Sequence, residues 1–215
     1  MALYATKRLT TPIPPTPLLM PANRLVVVTT AGRARRGAPL LTLRIGDALA
    51  RAISSRTGRA CDVDEVDSND RAVDPAEYDA VAITISVTDS TGATPPAGWQ
   101  HALCDALETL LPNVSPGTPI LVGVPVIRPT AASPTLRARL AERRRYRFTT
   151  EVATILNSFG RGELVALPLM ADRAARVPGS LGVRERLADA LADRLAPRLL
   201  QAGHDAAARR LQLTA

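Results

Sequence analysis

The stretch Ala80-Val-Ala-Ile-Thr-Ile-Ser-Val-Thr-Asp-Ser-Thr91 decides the fold. From Tyr78 to Val87 the chain is almost continuously apolar and rich in β-branched side chains. That suits a strand buried on both faces, as strands of a parallel sheet are. The polar run that follows, Thr88-Asp-Ser-Thr91, reads as a loop at the carboxyl end of that strand. In open parallel sheets, ligands and chemistry sit outside the carboxyl ends of the strands.

Working outward, Arg24-Leu-Val-Val-Val28 is a first buried strand, followed by the loop Thr29-Thr-Ala-Gly-Arg-Ala-Arg-Arg-Gly37. Apolar residues at Leu40, Leu41, Leu43, Ile45, Leu49 and Ile53 suit a helix over 40–56, ended by Thr57-Gly58. A second strand runs from Ala60 to Val66, with Ser68-Asn-Asp70 as a turn. Pro95-Pro96 opens a helix through Trp99, Leu103 and Leu107 that stops at Pro112. A strand over Thr118–Pro125, a helix over 133–158, a short strand over Glu163–Pro168 and a helix over 181–201 complete the chain. This alternation predicts one parallel five-stranded sheet, with strands beginning near Leu25, Ala60, Val81, Ile120 and Leu164. The fold class is α/β: a single-domain, three-layer α/β/α arrangement of flavodoxin-like type. The expected boundaries are a proline-rich extended arm over 1–23, the domain over 24–201 and a polar C-terminal tail over 202–215.

At 215 residues the chain is long enough for one well-formed core. Only 3% of its residues are aromatic, which argues against a base-stacking surface or an aromatic carbohydrate groove. The net charge of +7 is carried by arginine, since Lys7 is the single lysine. A compositional bias towards Arg and Ala accounts for this most simply; an anionic partner, whether nucleic acid, an acidic lipid surface or an acidic partner protein, is the alternative. Cys61 and Cys104 are too isolated for a metal knuckle or a disulfide framework, and His101 and His204 are the only histidines. No metal and no cofactor is therefore expected. The prolines at 12, 14, 15, 17 and 21 break the apolar stretch a signal peptide needs, and no run approaches the ~20 residues of a membrane span. A cytoplasmic location is expected.

The order strand, Gly-containing loop, helix, Arg56-Thr-Gly-Arg59, strand resembles the SGNH/GDSL hydrolases over about residues 24–200. That resemblance implies the same fold and four catalytic blocks, onto which the scaffold residues register while the reactive ones do not. The nucleophile turn of the family is Gly-Asp-Ser-x-x-x-Gly; matching its last glycine to Gly32 puts valine, Val28, at the serine position. The second block falls on Asp67-Ser-Asn-Asp70, where Ser68 or Asn69 is a candidate backbone donor to an oxyanion hole. The third, Gly-x-Asn-Asp, becomes Ser86-Val-Thr-Asp89, with Thr88 in place of the asparagine. The fifth, Asp-x-x-His-Pro-Ser-x-x-Gly-Tyr, falls on Ala174 to Val183 with Pro178 and Gly182 in register. Its base then becomes Val177 and its orienting carboxylate Ala174, with Asp172 two residues out of step. Ile45-Gly-Asp-Ala-Leu49 also resembles the nucleophile motif, but it lies inside a helical pattern and is set aside.

The resemblance thus implies a hydrolase scaffold that has lost its activity and acts as a binding or regulatory module. The alternative is a divergent esterase or acyltransferase with a hydroxyl nucleophile among Thr29, Thr30, Ser86, Thr88 and Ser90. Thr29, Thr30, Asn69, Thr88 and Asp89 are the candidate pocket residues. Arg33, Arg35, Arg36, Arg143, Arg144, Arg145 and Arg147 are candidates for holding an anion. Each has a plainer reading: carboxylates cap loops, His101 packs or faces solvent on its helix, and arginine runs are solvated helix faces.

Overall fold

The structure is a computed structural model that describes residues 22–30, 44–68, 74–85, 96–128, 136–170 and 181–213. Five strands, β1 (Asn23–Thr30), β2 (Cys61–Asp67), β3 (Ala80–Ile85), β4 (Ile120–Arg128) and β5 (Glu163–Met170), form one sheet in the order β2-β1-β3-β4-β5. Every pairing is parallel. Among the described residues four helices accompany it: α1 (Gly46–Thr57), α2 (Pro96–Leu110), α3 (Leu136–Phe159) and α4 (Leu181–Leu213).

Side-chain alternation along the central strands builds two separate cores. Leu25 and Val27 of β1, with Ala80 and Ala82 of β3 and Leu121 of β4, face Leu49 and Ile53 of α1 and Leu187, Leu191 and Leu195 of α4. Val26 and Val28, with Val81, Ile83 and Val122, face Trp99, Leu103 and Leu107 of α2 and Phe148, Val152 and Leu156 of α3. The three-layer α/β/α arrangement follows directly. At Gly123 an added Cβ would stand 3.2 Å from a Leu187 methyl and 3.3 Å from one of Leu191, so this glycine lets α4 settle close on β4. Arg56 at the end of α1 ties it to α4 through Asp189 (3.1 Å) and Asp193 (2.8 Å). Glu163 on β5 holds α4 from the other side through Arg194 and Arg198. Arg161 donates to the carbonyls of Val114, Ser115 and Thr118, fixing the turn that feeds β4.

Several element ends differ from the sequence expectation. Helix α1 begins at Gly46 rather than near Leu40, with residues 40–43 outside the described residues. Its other end is as expected: Gly58 adopts φ +67° and donates its N–H to the Ser54 carbonyl, a left-handed cap that favours glycine. Tyr78 closes a short 3-10 turn (Pro75–Glu77) rather than opening β3. The largest difference is at the C-terminus, where the helix expected to end at Gln201 continues to Leu213 through the segment read as a polar tail. Residues 201–213 are mostly Ala, Leu, Gln and Arg, all strong helix formers, and one glycine at 203 does not outweigh them. Pro197 is accommodated inside the same helix.

Candidate functional site

In a 2-1-3-4-5 sheet the connections leave in opposite directions from β1 and β3, so the crevice at their carboxyl ends is the expected binding position. Thr29, Thr30 and Thr84 occupy that edge. Thr29 and Thr84 are register partners on the α1/α4 face, and the Thr84 hydroxyl donates to the Thr29 hydroxyl at 3.3 Å. Thr30, on the opposite face, donates its hydroxyl to the Thr84 carbonyl at 3.3 Å. Their exposures are 3%, 1% and 0%, so these residues are buried at the end of the sheet.

Val28 sits inside β1, paired with Val66 and Ile83, two residues before the strand ends at Thr30. It packs against the α2/α3 core and is 4% exposed, so it is not at the turn where a nucleophile would stand. The register carried from Gly32 therefore falls short of the strand's end. Ser68 is also placed: its backbone N–H donates to the Thr29 carbonyl at 3.0 Å and is not a free oxyanion donor. Asn69, Ser86, Thr88, Asp89, Ser90, Ala174, Val177, Arg33, Arg35 and Arg36 lie outside the described residues. Ile45-Gly-Asp-Ala-Leu49 opens α1, as its helical pattern suggested.

The chain's only two histidines are both described and both face solvent. His101 on α2 is 81% exposed and pairs with Asp105 one helical turn away, at 3.3 Å. His204 is exposed on the last turns of α4. Neither is held against Thr29 or Thr30. Cys61 begins β2 at the amino end of the sheet, and burial pushes its thiol up to about 11. Cys104 on α2 is likewise raised by burial, with Glu108 and Asp105 adding to it. A thiol so raised stays protonated near neutral pH and is a poor nucleophile. Among the described residues no group of three or more His, Cys, Asp or Glu side chains could hold a metal ion.

Glu65 on β2 is a polar residue that sequence reasoning missed. Its carboxylate accepts the Ile45 N–H at 2.7 Å and bonds the Gly46 N–H too, capping the start of α1 from a neighbouring strand. An added Cβ at Gly46 would meet Glu65 Oε2 at 3.3 Å, which is why glycine suits that position. No local pattern signals a cap that comes from twenty residues away. Burial raises the Glu65 carboxyl above its ordinary value, outweighing the two N–H groups that lower it. The folded chain therefore binds this proton more tightly than the unfolded chain does. Its contribution to stability is full below the ordinary glutamate value of about 4.3 and is lost as pH rises through the folded value. Glu65→Gln, which keeps an acceptor but cannot titrate, is expected to flatten the pH dependence of the urea midpoint in that window. Glu65→Ala, which also removes the acceptor, is expected to lose about 1 kcal/mol below that window, as removing a helix cap does, and less above it.

No protein-family model matches the sequence, and no curated protein sequence does. Solved structures match it at low identity. A carbohydrate esterase family 2 enzyme with a carbohydrate-binding domain, from Corynascus thermopiles (Myceliophthora fergusii), is 11% identical, with 87% of this chain and 69% of that chain covered at a TM-score of 0.52. A protein described as TesA is 18% identical, with 82% and 99% covered at a TM-score of 0.49. A lipase/acylhydrolase from Enterococcus faecalis is 13% identical, with 82% and 96% covered at a TM-score of 0.44. The fold is that of the SGNH/GDSL-type hydrolases, a single-domain α/β architecture on a parallel five-stranded sheet. No described helix is long and apolar enough to cross a membrane.

Proposed function

We propose that this protein is an SGNH-type scaffold that has lost hydrolase activity and serves as a binding or regulatory module. One observation supports the reading: the chain's two histidines are both exposed on helices, and neither bonds Thr29 or Thr30 at the carboxyl end of β1, where a nucleophile would need a base. A hydroxyl needs a partner that takes its proton, and without one it is a weak nucleophile. Thr29 and Thr30 are further handicapped by burial and by bonds within the sheet. Both cysteines are held in the thiol form by burial.

The rival, an esterase or acyltransferase with an unusual nucleophile, rests on what the similar solved structures are named for. It is tested with a fluorophosphonate probe, which phosphonylates activated hydroxyls with loss of fluoride. No labelling of the native protein beyond that of the heat-unfolded protein is expected. Stoichiometric labelling at Ser86, Thr88 or Ser90, mapped by mass spectrometry, would establish the enzyme reading instead.

A further inference from the structure

Among the described residues, the large apolar side chains that stand out in solvent are Leu140, 45% exposed, and Tyr146, 75% exposed. Both belong to the first half of α3, where Arg143, Arg144 and Arg147 are exposed as well. Among the described side chains, helix α3 joins the core through Phe148, Val152 and Leu156. With Leu140 as zero and ~100° per residue, Arg144 falls at about 40°, Arg147 at about −20°, Arg143 at about −60° and Tyr146 at about −120°. On the same scale the core residues Phe148, Val152 and Leu156 lie at about 80°, 120° and 160°. The exposed residues thus form one continuous arc, Tyr-Arg-Arg-Leu-Arg, turned away from the sheet.

We propose that this arc docks the protein on an anionic phospholipid surface, its arginines on headgroup phosphates and Leu140 and Tyr146 entering the interface. Interfacial helices combine basic residues with apolar and aromatic side chains that enter the headgroup region. Tyrosine suits that depth, with an apolar ring and a polar tip. Arg147 is partly offset by Glu151 at 2.6 Å, whereas among the described residues Arg143 and Arg144 have no acidic partner. The chain's net charge of +7 adds a favourable long-range field. Nucleic acid fits less well, because a phosphate contact gives Leu140 nothing to bury against and the chain is only 3% aromatic. The proposal does not rest on the loss of hydrolase activity, and either can fail without the other.

The test is co-sedimentation of the full chain with vesicles of phosphatidylcholine alone and of phosphatidylcholine with phosphatidylserine. Binding is expected only to the anionic vesicles, and it is expected to be lost near 1 M salt, where the Debye length falls to ~3 Å. Arg143→Gln and Arg144→Gln are each expected to weaken binding about five-fold, the effect of ~1 kcal/mol per basic residue near an acidic surface. Leu140→Ser with Tyr146→Ser is expected to weaken it at least about ten-fold, since each buried methylene contributes ~0.8 kcal/mol. Replacing Arg33, Arg35 and Arg36 with glutamine should leave most of the binding in place. Circular dichroism of each variant confirms the fold, and Tyr146→Trp gives an independent readout, a blue shift of emission on anionic vesicles only. Equal binding to neutral vesicles, indifference to the α3 variants, loss through the Arg33, Arg35 and Arg36 replacements alone, or an unshifted tryptophan overturns the proposal. Salt-sensitive binding to RNA or heparin that survives Leu140→Ser with Tyr146→Ser, without vesicle binding, overturns it in favour of a polyanion surface.

Discussion

p-Nitrophenyl acetate and butyrate are expected to be hydrolysed by this protein at the rate of buffer. A variant carrying Thr29→Val, Thr30→Val and Thr88→Ala is expected to be no slower. In a serine hydrolase, removing the nucleophile or the base alone costs ~10⁶ in turnover. What the oxyanion hole and binding retain is ~10³–10⁴ over water. Of the two candidate oxyanion donors, Ser68 has its N–H engaged by the Thr29 carbonyl. Losing one such donor typically costs ~10²–10³. Valine keeps the shape of the buried threonines, so the variant removes hydroxyls without opening a cavity, at the cost of the Thr84 hydroxyl's acceptor on Thr29. The outcome that would overturn the reading is turnover near ~10 s⁻¹, a median enzyme rate, that the variant abolishes. Such a result would require a base other than histidine, since both histidines point into solvent.

The parts of the fold legible in sequence were those whose signal is local. β3 is buried at every position from Ala80 to Ile85, and its unbroken apolar run announced a parallel strand covered on both faces. β2 alternates instead, as Cys-Asp-Val-Asp-Glu-Val-Asp, because it is an edge strand packed chiefly on the α1 side. The end of β1 was not legible. Thr29 and Thr30 stay in the strand because β2 and β3 continue to pair with it, Thr29 opposite Asp67 and Thr84, Thr30 opposite Ile85. Those partners are 38 or more residues away in the chain, so a register counted from Gly32 has no access to them. Of the expected site, sequence pointed to the carboxyl ends of β1 and β3, and Thr29 and Thr30 lie there. It could not show that the Ser68 donor is engaged, that Thr29 and Thr84 bond to each other, or that Glu65 caps α1. Each of these depends on contacts between elements, which residue type alone does not specify.

Leu187→Ala and Leu103→Ala are each expected to lower stability by about 2–5 kcal/mol, and together to lower it by the sum. Both side chains are fully buried, so truncation removes transfer energy and leaves a cavity. Leu187 of α4 packs on one face of the sheet with Leu25, Val27, Ala82 and Leu121. Leu103 of α2 packs on the other with Val26, Val28, Ile83 and Val122. The two clusters have no residue in common, and the sheet stands between them. Sites without shared partners add to within about 0.3–0.5 kcal/mol. A combined loss of about 4–10 kcal/mol is comparable to the whole stability of a typical domain, about 5–15 kcal/mol, so the double variant should be largely unfolded or close to it. Urea denaturation of the two single variants gives the individual losses at unchanged slope. If the double variant remains as stable as the weaker single one, the two cores share their energy across the sheet and the three-layer packing is wrong. Full additivity places each helix pair on its own face, with β1, β3 and β4 as a common wall.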